Sequence, residues 1–289
     1  MKVLLATDGS AYSEDAARFL SRFDFTPDDE ITVLHVLSEI PYDDDSRAKV
    51  LRLIKKAGPR ILESTVQILK PLKAQVTPLS FDGYPDSTIV EYAVQNHADI
   101  VILGARGVKG VKLLVLGSVT RHVAINSPKH TLVVKKPEGK AAGPMRVLFA
   151  AVGSACCEST ADFLATLPFP KGTAMTVMHV VPPVLSDIPM QFLSVKEVEM
   201  LKKMPRELLS AKTVFDDMRM LLERSFDPID FRTATGNTTM TILNAAEEMD
   251  ADLIAVGSRG LRGLKGMLGS VSRNILAYAH CPVLIGKVC

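Results

Sequence analysis

The chain has 289 residues, 47% of them hydrophobic, and its 34 basic and 32 acidic side chains leave a formal net charge of +2. That balance excludes the strong basic excess of a general nucleic-acid binder, and no apolar run approaches the ~20 residues needed to span a bilayer. The length suits two domains of ordinary size, each able to bury a core without disulfide staples.

The opening MKVLLATDGS holds one Lys and a short apolar run, but Asp8 follows where a secretory leader would stay apolar. It reads as a first strand. Runs 3–7, 31–36, 76–81, 100–103 and 131–134 are predicted strands, bounded by turn residues; two are continuously apolar, as in strands covered on both faces. Between them, 13–23, 47–72, 86–97 and 118–126 have helical patterning, with Ser13-Glu14 and Asp86-Ser87 as candidate starts. Pro59 is expected to kink or split the second helix. Strand–helix alternation of this kind implies a parallel sheet with right-handed crossovers, an open α/β layer fold.

The chain then repeats itself. Val3-Leu4-Leu5-Ala6 aligns with Val147-Leu148-Phe149-Ala150, and Ile31–His35–Val36 with Met175–His179–Val180, both at an offset of 144. Asp99–Gly104 matches Asp252–Gly257 at 153, and Gly117-Ser118-Val119 matches Gly269-Ser270-Val271 at 152. The second copy has therefore gained nine residues between its second and fourth strands and lost one inside a glycine loop. The predicted division is a first repeat over 1–136, a polar Pro/Gly-containing linker over 137–144 and a second repeat over 145–289. The extra residues fall in the second crossover, about 194–226. Met190, Met200, Met204, Met218 and Met220, in or beside it, are read as core or lid packing rather than as an adaptable binding surface. Cys156, Cys157, Cys281 and Cys289 lack C-x-x-C spacing, and the His280-Cys281 pair is too small a set for a metal site. They read as reduced thiols of a cytoplasmic protein.

The stretch GARGVKGVKLLVLGSV in the first copy returns as GSRGLRGLKGMLGSVS in the second. Gly104 ends a buried strand, and ligands of open parallel sheets bind beyond the carboxyl ends of the strands. Glycines at 104, 107 and 110 let backbone N–H groups approach a ligand. Gly117-Ser118 opens a helix whose unpaired N–H groups favour phosphate, and Arg106, Lys109 and Lys112 add positive charge. The same residues equally suit a glycine-rich turn with a structural role. There is no G-x-x-x-x-G-K-[ST], no G-x-G-x-x-G after the first strand and no G-x-S-x-G elbow.

Gly104-x2-Gly107-x9-Gly117-Ser118, with ATDGS after strand one and LHV in strand two, resembles the universal stress protein family, and both halves carry the likeness. The resemblance implies two tandem, five-stranded, Rossmann-like α/β domains of the adenine-nucleotide-binding type, packed as a pseudo-dimer. It further implies ATP or AMP, with or without Mg²⁺, and slow or absent hydrolysis. Carried onto this sequence, Ala6, Thr7 and Asp8 stand at the adenosine end, Val36 and Leu103 beside the base, and Gly104, Arg106, Gly107, Gly117, Ser118 and Val119 around ribose and phosphates. The second set is Gly257, Gly260, Gly269, Ser270 and Val271. There Val152 replaces Asp8, and eight residues rather than nine separate Gly260 from Gly269. The expectation is one complete site and one degraded one.

His35 and His179 occupy matching strand positions, which favours packing over catalysis. The expected function is a cytoplasmic, nucleotide-binding stress or regulatory protein with no dedicated catalytic residue, acting through conformation or a regulatory protein partner, with a homodimer open to it and neither nucleic acid nor membrane as partner. Two alternatives stand beside it: a slow ATP-hydrolysing enzyme, and an interaction module that has lost nucleotide.

Overall fold

The computed structural model describes residues 1–38, 45–107, 116–135, 143–181, 194, 196, 211–258 and 268–287, with backbone only for 45–52 and 54. The first repeat runs β1 (Lys2–Ala6), α1 (Ala11–Leu20), β2 (Glu30–Ser38), α2 (Asp45–Leu69), β3 (Gln75–Gly83), α3 (Pro85–Gln95), β4 (Ile100–Gly104), α4 (Ser118–Asn126) and β5 (His130–Val134). The second runs β6 (Arg146–Ala150), α5 (Ala155–Thr166), β7 (Ala174–Val181), α6 (Ala211–Leu222), β8 (Ile229–Thr235), α7 (Thr238–Glu248), β9 (Leu253–Gly257), α8 (Ser270–Tyr278) and β10 (Val283–Gly286).

All ten strands form one sheet, in the order β3-β2-β1-β4-β5-β10-β9-β6-β7-β8. Every neighbouring pair is parallel except the central one. There β5 and β10 run antiparallel, with Leu132 opposite Leu284. The apolar last strand of each repeat thus covers the edge of the other, the pairing that a bare apolar edge invites. The chain is a pseudo-dimer built within one polypeptide.

Both faces are covered. α1, α2, α5 and α6 pack one continuous core across the two repeats, where Phe23 and Phe169 meet at 5.2 Å between ring centroids. α4, α7 and α8 share a second cluster on the opposite face, and α3 with α4 covers the remainder of the first repeat. This explains why β4, β5, β9 and β10 are buried at every position. The outer strands β3 and β8 are half exposed, as the two edges of the sheet.

Polar groups secure the junction. Arg22 donates to Asp252 at 2.9 Å across the repeats, with only 9% and 4% of the two side chains exposed. Lys287, just past β10, donates through Nζ to Ala124 O and Ile125 O at the end of α4. Lys135, just past β5, donates to Ala277 O and Ala279 O at the end of α8. Each repeat thereby places a cation against the carbonyl end of the other's last helix, where the helix dipole favours it. Burial lowers the Lys135 amine to about 8. His130 stacks on Phe163 at 3.9 Å and accepts from the Lys287 N–H; burial first of all lowers its imidazole to about 4.

Local expectations need three corrections. Ser13 does not start the first helix: Ser10 caps it, its Oγ accepting from Ser13 N. A residue that bonds an orphan N–H from outside the helix is favoured there over one inside. The third helix begins at Pro85, whose missing N–H costs nothing at a first helical position. Pro59 does not split α2, which runs through it from Asp45 to Leu69. The lost backbone bond is offset by burial of Leu69 and Thr65 and by Leu62 and Val66 packing on the core. Of the methionines, Met218 is core and Met220 is 73% exposed, so the packing reading does not extend to Met220, while Met190, Met200 and Met204 lie outside the described residues.

Candidate functional site

Strand order reverses between β1 and β4 in the first repeat and between β6 and β9 in the second. At each reversal the loops leaving the two strands diverge and open a crevice beyond the strand ends. In the first repeat the described parts of these loops are 7–10, 105–107 and 116–117. They interlock: Ser10 Oγ donates to Arg106 O at 3.4 Å, and Asp8 Oδ1 accepts from Ser10 N at 3.0 Å. Asp8 is thus oriented by the turn that starts α1, and its other oxygen faces Gly107. A Cβ at Gly107 would lie 2.4 Å from Asp8 Oδ2. Arg106 sits over the Tyr12 ring, 5.6 Å from its centroid, and donates to the Tyr12 hydroxyl at 3.4 Å.

The three glycines at this edge do different work. A Cβ at Gly104 would meet the Tyr12 carbonyl at 2.5 to 2.6 Å, so this glycine lets α1 pack on β4 rather than letting a ligand approach. Gly107 makes room for the Asp8 carboxylate. Gly117 is different: it has ordinary backbone angles, φ −59° and ψ 152°, and a Cβ there would meet neighbours only at 3.5 Å and beyond. Among the described residues, neither backbone angles nor neighbours demand glycine at 117, the residue that heads α4.

The remaining residues divide in the same way. Ala6, Leu103 and Gly104 are buried at the strand ends, Val36 is half buried on β2, and Ser118 and Val119 begin α4. Thr7 turns its hydroxyl inward, 3.2 Å from Ser13 Oγ and 3.0 Å from Thr65 Oγ1. Its side chain supports the loop from below. His35 Nδ1 lies 2.8 Å from Thr7 O, and His179 Nδ1 lies 2.9 Å from Ala151 O, so both histidines hold the loop after the first strand of their repeat. Gly110, Lys109, Lys112 and Gly260 lie outside the described residues.

Sequence reasoning missed Tyr12, Ser13, Thr65 and Thr120. Thr120 Oγ1 donates to Gly104 O at 2.8 Å, fixing the end of β4 to the first turn of α4. Thr65 carried a faint signal: in the register of β3 and β8 its counterpart is Met218, a polar-to-apolar exchange at a fully buried helix position.

The second repeat keeps the frame of this site. Gly269 N donates to Ser258 O at 2.8 Å as Gly117 N does to Ala105 O at 2.9 Å, and Ser272 Oγ donates to Gly257 O at 2.6 Å. Gly269 has φ −59° and ψ 155°, nearly those of Gly117. Both ends of the shortened loop are therefore tied as in the first repeat, and residues 259–267 lie outside the described residues. Here the crevice is a cavity of about 310 Å³. Its lining includes Ala150, Ala151, Val152, Val180, Val256, Gly257, Gly269, Ser270 and Val271. These are the counterparts of Ala6, Thr7, Asp8, Val36, Leu103, Gly104, Gly117, Ser118 and Val119. The polar support has gone: Ala151, Cys157 and Met218 stand where Thr7, Ser13 and Thr65 form the hydroxyl cluster. Burial raises the Cys157 thiol, keeping it protonated.

Fold and site together define a tandem, doubly wound α/β protein with one crevice per repeat. Both repeats match the Universal stress protein family, over residues 1–135 and 144–287, and the chain belongs to that family. It is 28% identical to the universal stress protein MJ0531 of Methanocaldococcus jannaschii over 141 residues, 47% of this chain and 83% of the relative. It is also 28% identical to the universal stress protein YxiE of Bacillus subtilis over 148 residues, 46% of this chain and 98% of the relative. The crystal structure of a universal stress protein from Archaeoglobus fulgidus shares the fold along the whole chain, with a TM-score of 0.71 at 21% identity, covering 99% of this chain and 98% of that one.

Proposed function

We propose that the chain is an adenine-nucleotide-binding stress or regulatory protein working as two units, 1–136 and 145–289, joined by the connector 137–144. ATP or AMP occupies the first repeat. The observation carrying this reading is Gly117, a glycine that neither backbone angles nor the described neighbours demand, at the head of a helix facing a strand-order reversal. Backbone N–H groups there suit a phosphate. Asp8, pinned by Ser10 N, offers its acceptor oxygens at the adenosine end, and Ala6, Val36 and Leu103 offer apolar contact to the base.

Membership of the family supports a binding role, and the described residues at the phosphate end offer amides, a hydroxyl and Arg106 rather than a base. Hydrolysis of ATP needs an oriented water and stabilisation of charge on the γ-phosphate, whereas Arg106, Ser118 and loop amides hold phosphate without serving as a base. ATP binding that shifts the chain between two conformations, or between partners, is the mode of action that follows. No helix among the described residues is long and apolar enough to cross a membrane, in keeping with a cytoplasmic protein. Nucleotide released by heating the purified chain tests the reading. One adenine nucleotide per chain is expected, with turnover well below the ~1–10³ s⁻¹ of ordinary enzymes. A chain that releases none, and binds none when titrated, would overturn it.

A further inference from the structure

We propose that the crevice of the second repeat is a binding site for a neutral, apolar molecule about the size of two fused rings. Where the first repeat has the Asp8 carboxylate and the Thr7–Ser13–Thr65 hydroxyls, the second has Val152 and Ala151–Cys157–Met218. The cavity is walled by Val152, Met178, Val180, Ile242, Val256 and Val271, and no charged side chain among the described residues lines it. Its side-chain hydroxyls are few: Ser272 bonds Gly257 O, Ser270 is exposed at the start of α8, and Thr238 lies half-buried at the start of α7.

Apolar walls left facing water favour an apolar occupant, which gains by burying them. Here four hydrogen-bonding residues have given way to apolar ones or a thiol, around about 310 Å³ of space at the strand ends. An apolar cavity of about 150 Å³ takes up benzene, so this one accommodates roughly twice that. Ligand pockets of this kind are mostly apolar with few polar groups. Adenosine fits less well than in the first repeat: the donors that Asp8 would accept from there would be desolvated against Val152 and left unpaired.

The test is a fluorescence titration of the full chain with prodan, a neutral naphthalene probe, with the methionine methyl groups carbon-13 labelled for NMR. Expected are a blue-shifted emission saturating at one probe per chain, a shift of the Met178 methyl resonance (assigned with Met178→Leu), and no displacement by saturating ATP. Val152→Asp, which restores a carboxylate, and Ala150→Phe, which fills the space, should each weaken binding at least about tenfold. They act by different means, so if one variant fails to fold the other still decides. Absence of saturable binding, a still Met178 resonance, indifference to both substitutions, or displacement by ATP would each overturn the proposal.

Discussion

The two crevices share one frame and differ in what fills it. Both have a glycine heading the last helix, a hydroxyl bonded to the final carbonyl of the preceding strand, and a histidine holding the first loop. Among the described residues, only the first has a carboxylate at its mouth and a threonine–serine–threonine hydroxyl cluster beneath it. The frame belongs to the fold and the lining to the ligand, so one can be kept while the other is rewritten.

The largest expected effect separates the repeats by a matched pair. Gly117→Val should weaken ATP binding on the order of 100-fold by displacing two or more phosphate-directed amides, each worth ~1.5 kcal/mol. Its melting temperature should hardly change, since a Cβ fits there. Gly269→Val should leave ATP affinity intact. Calorimetry on both variants decides; equal losses would mean that nucleotide occupies both repeats.

Next is Asp8→Val, which copies the second repeat into the first. Loss of a hydrogen bond to a charged group predicts a ~10- to 100-fold drop in ATP affinity. An unchanged affinity would leave Asp8 only its role in the turn before α1, and the contrast between the repeats would then rest on the loop alone.

This contrast was partly visible in the sequence. The exchange of Asp8 for Val152 stands in neighbouring copies of one motif, alternating strands and helices gave the parallel sheet, and the family resemblance implied the pairing of the repeats. What each glycine does was not visible. Gly104, Gly107 and Gly117 look alike in GARGVKGVKLLVLGSV, and only the approach of Tyr12 to one and Asp8 to another tells them apart. Thr65 was hidden for a related reason. It lies some 58 residues from Thr7, and a lone threonine on an amphipathic helix carries no sign that it reaches a loop so distant.

A smaller effect sharpens the comparison beneath the sites. Replacing Thr7, Ser13 and Thr65 together by Ala, Cys and Met transplants the apolar support. It should change stability by only about 1 kcal/mol, because removing all members of a buried hydrogen-bonded set leaves none unpaired. Thr65→Met alone should cost more than the triple change, as thermal unfolding would show.

The smallest effect concerns the junction. His130 has Pro282 at its equivalent position in the other repeat, so only one half carries an imidazole at this position. Burial lowers its value from 6.5 to about 4. The unfolded chain therefore takes up this proton first, and the contribution is complete above pH 6.5 and lost as pH falls toward 4. His130→Leu should make unfolding less dependent on pH across that window. An identical pH profile in the variant would remove His130 as the source.

The antiparallel pairing of β5 with β10 has a consequence for how such a protein can change over time. In an assembly of two identical subunits, every substitution appears twice, and a gain on one side is imposed on the other. Here the halves are distinct stretches of one polypeptide, locked together by paired strands and crossed lysines. Each molecule always contains one of each, in fixed proportion and without exchange. A substitution such as valine for aspartate can therefore be tested by selection in one crevice while its neighbour keeps the older task.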